Sequence, residues 1–173
     1  MTQRDPAKRA KYLKRKKSGL HWRRLPNLTQ MVDTVIDVGA ASGTHDLYKA
    51  FPDAKLILID ALEENRIALE AIAKKRDAEV LIQALGSTPG DFIFHVPSDG
   101  ATERSSFLQR VGAYADVSNS DRMVTVARLD DVLRLQTKSR SFGLKIDAEG
   151  YEKEILLGAA ETLKKSAWVV CDT

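Results

Sequence analysis

The sequence predicts an α/β fold, a doubly wound and mostly parallel sheet. Three observations carry this. Short apolar runs bounded by turn residues alternate with stretches of helical periodicity. The first run, Val35-Ile36-Asp37-Val38, breaks into a glycine-containing turn, Gly39-Ala40-Ala41-Ser42-Gly43. The second, Lys55-Leu56-Ile57-Leu58-Ile59-Asp60, ends in a lone acid. Glycines let the backbone approach a ligand closely, and the next helix opens with unpaired N–H groups. An acid about 20 residues beyond such a turn can hold the two hydroxyls of a ribose. The pattern describes a nucleoside pocket at the carboxyl ends of parallel strands. The alternative for the same residues is a tight strand-to-helix turn with no ligand.

The elements follow in order. Residues 1–30 read as a basic arm and linker, and residues 31–173 as one domain entered past Pro26 and Asn27. Residues 34–39 are the first strand, 43–51 a short helix stopped by Pro52, and 55–60 the second strand. A helix is expected over 63–76, where Ile67, Leu69, Ile72 and nearby alanines form an apolar face. Residues 79–84 are the third strand, 86–90 a turn and 92–96 an extra strand. Residues 97–122 are polar with little periodicity, a length expected of a functional or mobile loop. Residues 124–127 are extended, and Asp130 is the expected N-cap of a short helix. Residues 142–147 are the fourth strand, 151–163 one helix with Ile155, Leu156, Ala159 and Leu163 at helical spacing, and 168–172 the fifth strand.

A chain of 173 residues suits one domain with a real core. No apolar run nears the roughly 18 residues of a membrane helix. The N-terminus is charged from the start and has no apolar signal region, so a cytoplasmic location is expected. Cys171 is the only cysteine, which excludes an internal disulfide and suits a reducing compartment. The net charge of +3 hides an asymmetry. Residues 1–24 carry ten Lys or Arg against Asp5, a net +9, while the rest carries 17 basic and 23 acidic residues, a net −6. The arm suits an anionic partner such as nucleic acid, a membrane surface or a glycan, or else a solvated arm resting on its own acidic body. Its aromatics, Tyr12 and Trp22, are too few for a base-stacking platform.

The dinucleotide fingerprint G-x-G-x-x-G sets its second glycine against a pyrophosphate. Here that position is Ala41, the third is Thr44, and Gly43 falls out of register. The turn reads D-x-G-x-x-x-G, with Asp37 inside the strand. An acid there can meet a cationic amino group, which S-adenosylmethionine has and a pyrophosphate lacks. A carboxylate at the end of an apolar run is costly unless paired. The register therefore argues against a nicotinamide-dependent oxidoreductase.

A second unusual segment is Leu144-Lys145-Ile146-Asp147-Ala148-Glu149-Gly150-Tyr151-Glu152. Lys145 and Asp147 lie two apart and share one strand face. A strand covered by helices on both sides should be apolar throughout. The pair is either a buried or edge ion pair, or part of a site, since Asp147 closes the strand where ligands sit in open α/β sheets. With Glu149 on the following loop, it could supply a general base for an acceptor hydroxyl or oxygen ligands for a hard cation. His45 begins a helix beside the glycine turn, where it could meet ligand or solvent. His95 lies in the extra strand and His21 in the arm. The three give no metal-ligand spacing, and no metal site is expected.

The turn at residues 37–43, the acid Asp60, Ala84-Leu85-Gly86, Leu129-Asp130-Asp131, Lys145-Ile146-Asp147-Ala148-Glu149-Gly150, Glu152-Lys153-Glu154-Ile155-Leu156 and Gly158-Ala159 occur in one order. In that order they resemble the FkbM family of S-adenosylmethionine-dependent methyltransferases, from about Val32 to the C-terminus. The resemblance implies a Rossmann-like class I methyltransferase fold and methyl transfer, typically to hydroxyl oxygens of sugars or natural products. It implies that Asp37, Gly39, Ala40, Ser42 and Gly43 line the methionine end of the cofactor. Asp60 would hold the ribose, Ala84 and Leu85 would lie near the adenine, and Asp147 and Glu149 near the transferring methyl, with Lys145 beside them. Ala41, and Ala61 and Leu62 beside Asp60, depart from the family's commoner residues and suggest a subgroup. A class I methyltransferase normally continues past its fifth strand into a helix and an antiparallel strand pair. The sequence ends about where strand five ends, so the sheet is expected to lack that pair. Either the chain is a truncated or short variant, or a homodimer partner or other chain covers the strand-five edge. The alternative function is an inactive or partner-dependent cofactor-binding module of the same fold. A nucleic-acid methyltransferase would rest on the basic arm alone, since no Asn-Pro-Pro-Tyr-like sequence for holding a flipped base is present.

Overall fold

The computed structural model describes residues 32–109, 118–136 and 141–172, with the side chains of 134–136 excepted. The basic arm, His21 and residues 110–117 of the polar stretch lie outside the described residues. The elements are β1 (Thr34–Val38), α1 (His45–Ala50), β2 (Lys55–Asp60), a 3-10 turn (Glu63–Asn65), α2 (Arg66–Ala73), β3 (Ala78–Ile82), β4 (Ala84–Leu85), β5 (Gly90–Pro97), a second 3-10 turn (Thr102–Arg104), β6 (Asn119–Ala127), α3 (Leu129–Gln136), β7 (Phe142–Ile146), α4 (Glu152–Leu157), α5 (Ala160–Lys164) and β8 (Ser166–Cys171).

Five strands form one parallel sheet in the order β3-β2-β1-β7-β8. The chain order reverses between β1 and β7, and in such sheets the crevice at the reversal takes the ligand. Successive residues of β1 serve opposite faces. Val35 joins Leu47, Phe51, Leu58 and Leu69 in one core layer, while Ile36 and Val38 join Leu129, Leu144, Ile146 and Ile155 in the other. Both faces are covered, which is why β1 and β2 read as near-continuous apolar runs. The expected α/β, doubly wound sheet is therefore the one observed. Among the described residues no helix is long and apolar enough to cross a membrane.

Four details differ from the sequence reading. The third strand stops at Ile82, and the chain crosses into a second, three-stranded sheet of order β4-β6-β5. Gln83 makes the crossing, its side-chain amide donating to the Ala84 and Thr125 carbonyls at 3.1 and 2.7 Å. β6 begins at Asn119, well inside the stretch expected to be a loop, because antiparallel pairing with β5 satisfies its backbone whatever its side chains. The helix expected over 151–163 is two helices. Gly158 packs so closely on the Gly86 carbonyl that a Cβ there would lie 2.1 Å from its oxygen, and the chain breaks at this contact. Asp130 is not the cap of its own helix. It sits inside α3, and its carboxylate accepts from the Glu161 and Thr162 N–H groups and the Thr162 hydroxyl at 2.7–2.8 Å, capping α5 instead.

Candidate active site

At the carboxyl ends of β1, β2 and β7 lies a cleft of about 240 Å³. It is lined by the glycine turn, by the residues after β2 and after β7, and by Thr102, Glu103, Ser105 and Phe107. Gly39 (φ +68°), Ala41 (φ 45°) and Gly43 (φ +100°) all adopt left-handed backbone. Such a turn needs external fasteners. The Gly39 and Ala40 N–H groups donate to the Ile59 carbonyl at 3.0 and 3.1 Å. The strained Ala41 donates its N–H to Asp60 Oδ2 at 2.8 Å. Gly39 has a further reason to be glycine: a Cβ would lie 1.8 Å from the Asp147 carbonyl oxygen.

Asp60 lines the cleft and is 7% exposed. Its Oδ1 accepts from the Leu62 N–H and from Asn65 Nδ2, both at 2.9 Å. A carboxylate offers about four acceptor positions. Three bonds to the protein leave room for one more, so Asp60 fastens two loops and can still meet one ligand hydroxyl.

The residues of β1 and β7 form a charged network beneath the cleft. Asp37 has no exposed surface, and the Tyr48 hydroxyl donates to its Oδ2 at 2.5 Å. Lys145 Nζ stands 2.9 Å from Asp37 Oδ1, an ion pair lying outside hydrogen-bond geometry, and donates to the Gly39 carbonyl at 3.3 Å. It also stands 3.5 Å from Asp147 Oδ2. Burial, then the Asp37 charge, pushes the Tyr48 phenol far above its ordinary value, so it stays a donor. Burial pushes the Asp147 carboxyl up; Lys145 opposes this, and the Asp172 and Asp37 charges add to it. A carboxyl raised in this way holds a proton closer to neutrality than a solvated one does.

The loop after β7 is held by its own acid. Glu149 (φ 49°) and Gly150 (φ +100°) are left-handed. Glu152, buried at the start of α4, accepts from the Ala148 and Gly150 N–H groups at 2.9 and 3.1 Å. Ser106 Oγ donates to the Glu149 carbonyl at 2.9 Å. The cleft thus brings together the buried acid Asp60, a left-handed turn and Asp147, a carboxylate of raised proton affinity, at the carboxyl ends of the strands. A family model described as the methyltransferase FkbM domain matches residues 37–172, which include every residue lining this cleft. The chain belongs to the FkbM methyltransferase family. No curated protein and no solved structure matches it.

Within this FkbM methyltransferase, Gly39, Ala40, Ser42, Gly43, Asp60, Leu85, Lys145, Asp147 and Glu149 all line the cleft. Asp37 and Ala84 do not. Asp37 lies in the layer below, committed to Tyr48 and Lys145, and Ala84 is buried in the second sheet. Lys145 is both things the sequence allowed, a partner in a buried ion pair and a neighbour of the cleft. Tyr48, Phe94 and Phe107 escaped the sequence reading, which named Tyr151 and Glu152 within its motifs but gave them no role. Phe107 is 4.7 Å from Phe94 and 4.5 Å from Tyr151, ring centre to ring centre. Glu152 had a legible signal, a carboxylate opening a helix two residues after a glycine. Nothing local marks Tyr48 or Phe107. Among the described residues no group of three or more His, Cys, Asp or Glu side chains converges as a metal site.

Proposed function

We propose that this methyltransferase binds S-adenosylmethionine in the cleft and methylates a hydroxyl oxygen of a sugar or natural-product-like acceptor. The observation that carries this is Asp147, a carboxylate of raised proton affinity at the cleft end of β7 with Lys145 at 3.5 Å. The residues suit the ligand. The turn at Ala40, Ser42 and Gly43 would meet its amino-acid end, Asp60 its ribose, and Leu85 with Phe94 and Phe107 its adenine, with Asp147 and Glu149 near the transferring methyl. When bound, S-adenosylmethionine supplies an electrophilic methyl group on a sulfonium centre. The chain's own work is to hold two reactants in line and to accept a proton. Asp147 takes the acceptor's hydroxyl proton. Lys145 faces it, held in place by Asp37 and by the Gly39 carbonyl, and Asp37 is itself fixed by Tyr48.

Asp60→Ala is expected to weaken S-adenosylmethionine binding at least tenfold, about 1.4 kcal/mol. It also strips acceptors from the Ala41 and Leu62 N–H groups, so the ligand-free melting temperature falls with it. Calorimetry and thermal melting check the two effects, and unchanged affinity would remove Asp60 from the ribose site. The reaction class is tested by transfer of isotopically labelled methyl from S-adenosylmethionine to panels of sugars, phenols, amines and oligonucleotides. Label on a hydroxyl oxygen is the expected result. Label on nitrogen or nucleic acid alone would overturn the O-methyl assignment, and binding without any transfer would favour a cofactor-binding module.

A further inference from the structure

The stretch along the cleft carries a buried hydroxyl that the described residues do not use. Ser105 lines the cleft and is 8% exposed, and its Oγ has no hydrogen-bond partner among the described residues. Its backbone N–H donates to the Thr102 carbonyl at 3.1 Å. A buried hydroxyl left unpaired costs about 1–3 kcal/mol, and native structures keep few of them.

The segment around it is fixed on both sides. Thr102 Oγ1 donates to Asn65 Oδ1 at 3.0 Å, and Asn65 Nδ2 in turn donates to Asp60. This chain of bonds ties the segment to the acid at the expected ribose position. On the other side Ser106 exchanges backbone hydrogen bonds with His95 at 2.9 and 3.1 Å and bonds the Glu149 carbonyl. Phe107 then packs between Phe94 and Tyr151. The stretch is thus a pinned cover with an aromatic face and one uncommitted hydroxyl. Its Thr102 tether leads through Asn65 to Asp60, and its Ser106 tether to the loop after β7.

Resting on the cofactor reading above, we propose that Ser105 Oγ is a hydrogen-bond partner of the nucleoside half of S-adenosylmethionine, with residues 102–107 as the roof over that half. A serine hydroxyl both donates and accepts, so it can meet either a ribose hydroxyl or a polar edge of the adenine. The Ser105→Ala variant then loses a ligand contact and no hydrogen bond to the described residues.

The test titrates the full chain and Ser105→Ala with S-adenosylhomocysteine and with 5′-methylthioadenosine, which keeps the nucleoside and lacks the amino-acid end. The expected result is a loss of about five- to tenfold for both ligands. The melting temperature of the ligand-free variant does not fall. Ser105→Cys, close in shape and a weaker hydrogen-bonding group, gives a smaller loss and serves as the second variant. Equal affinities in the parent chain and Ser105→Ala would overturn the proposal. So would a loss confined to S-adenosylhomocysteine, which would put the contact at the amino-acid end. A parent chain that binds neither ligand would overturn the cofactor reading itself, a result distinct from a failure at Ser105.

Discussion

Lys145→Met is expected to lower stability by about 3–5 kcal/mol, because it removes the cation from beside a carboxylate that has no exposed surface. The substitution keeps the volume and loses the charge. Asp37 would be left with the Tyr48 hydroxyl as its one hydrogen-bond partner among the described residues. At roughly 2–4 °C per kcal/mol for a domain of this size, the melting temperature falls by about 10 °C. A charge explanation makes a second prediction. Asp37→Asn added to Lys145→Met removes the stranded charge while keeping a group that can accept from Tyr48, so the double variant recovers much of the loss. Thermal melting of the two variants checks this. A single variant as stable as the parent, or a double variant that is worse, would show that the pair does not carry the lower layer of the site.

Asp147→Asn is expected to cut methyl transfer by about 10²–10⁴-fold, the usual worth of a general base, with cofactor affinity little changed. The same raised proton affinity sets two signs. Turnover of the parent chain should fall as pH drops through the raised Asp147 value, so its acid limb lies above the ordinary carboxylate range. For stability the direction is opposite to that of a salt-bridged acid. The fold favours protonated Asp147, so its contribution is present at low pH and lost as pH rises through the raised value. Asparagine, which never ionises, therefore leaves the melting temperature at neutral pH unchanged or higher. Full activity in this variant would move the base elsewhere. A fall in melting temperature at neutral pH would contradict the burial argument.

The alternation of β1, α1, β2 and α2, and the crevice it creates, was legible because the relevant signals are local. Apolar runs such as residues 56–59 declare a strand buried on both faces, and the left-handed positions 39 and 43 declare themselves as glycine. Asp60 and Asp147 were legible for a related reason, since charges ending apolar strands are costly without a use, and Glu149 by its place on the loop that follows. What the sequence concealed depends on distant pairing. The second sheet forms because residues 90–97 find residues 119–127 across a stretch with no apolar alternation. The break at Gly158 comes from its contact with Gly86, and the true cap of α5 lies on α3. The role of Asp37 changed most. As a residue it looked like a ligand contact, but Tyr48, eleven residues on, turns it into the buried anchor of Lys145.

The central claim is that this cleft is an S-adenosylmethionine site of the FkbM type. Calorimetric titration of the purified chain with S-adenosylmethionine, and with NAD as the comparator, tests it most directly. The account predicts one site per chain with micromolar affinity for S-adenosylmethionine and no heat from NAD. Binding of NAD, or of neither ligand by a folded sample, would contradict it.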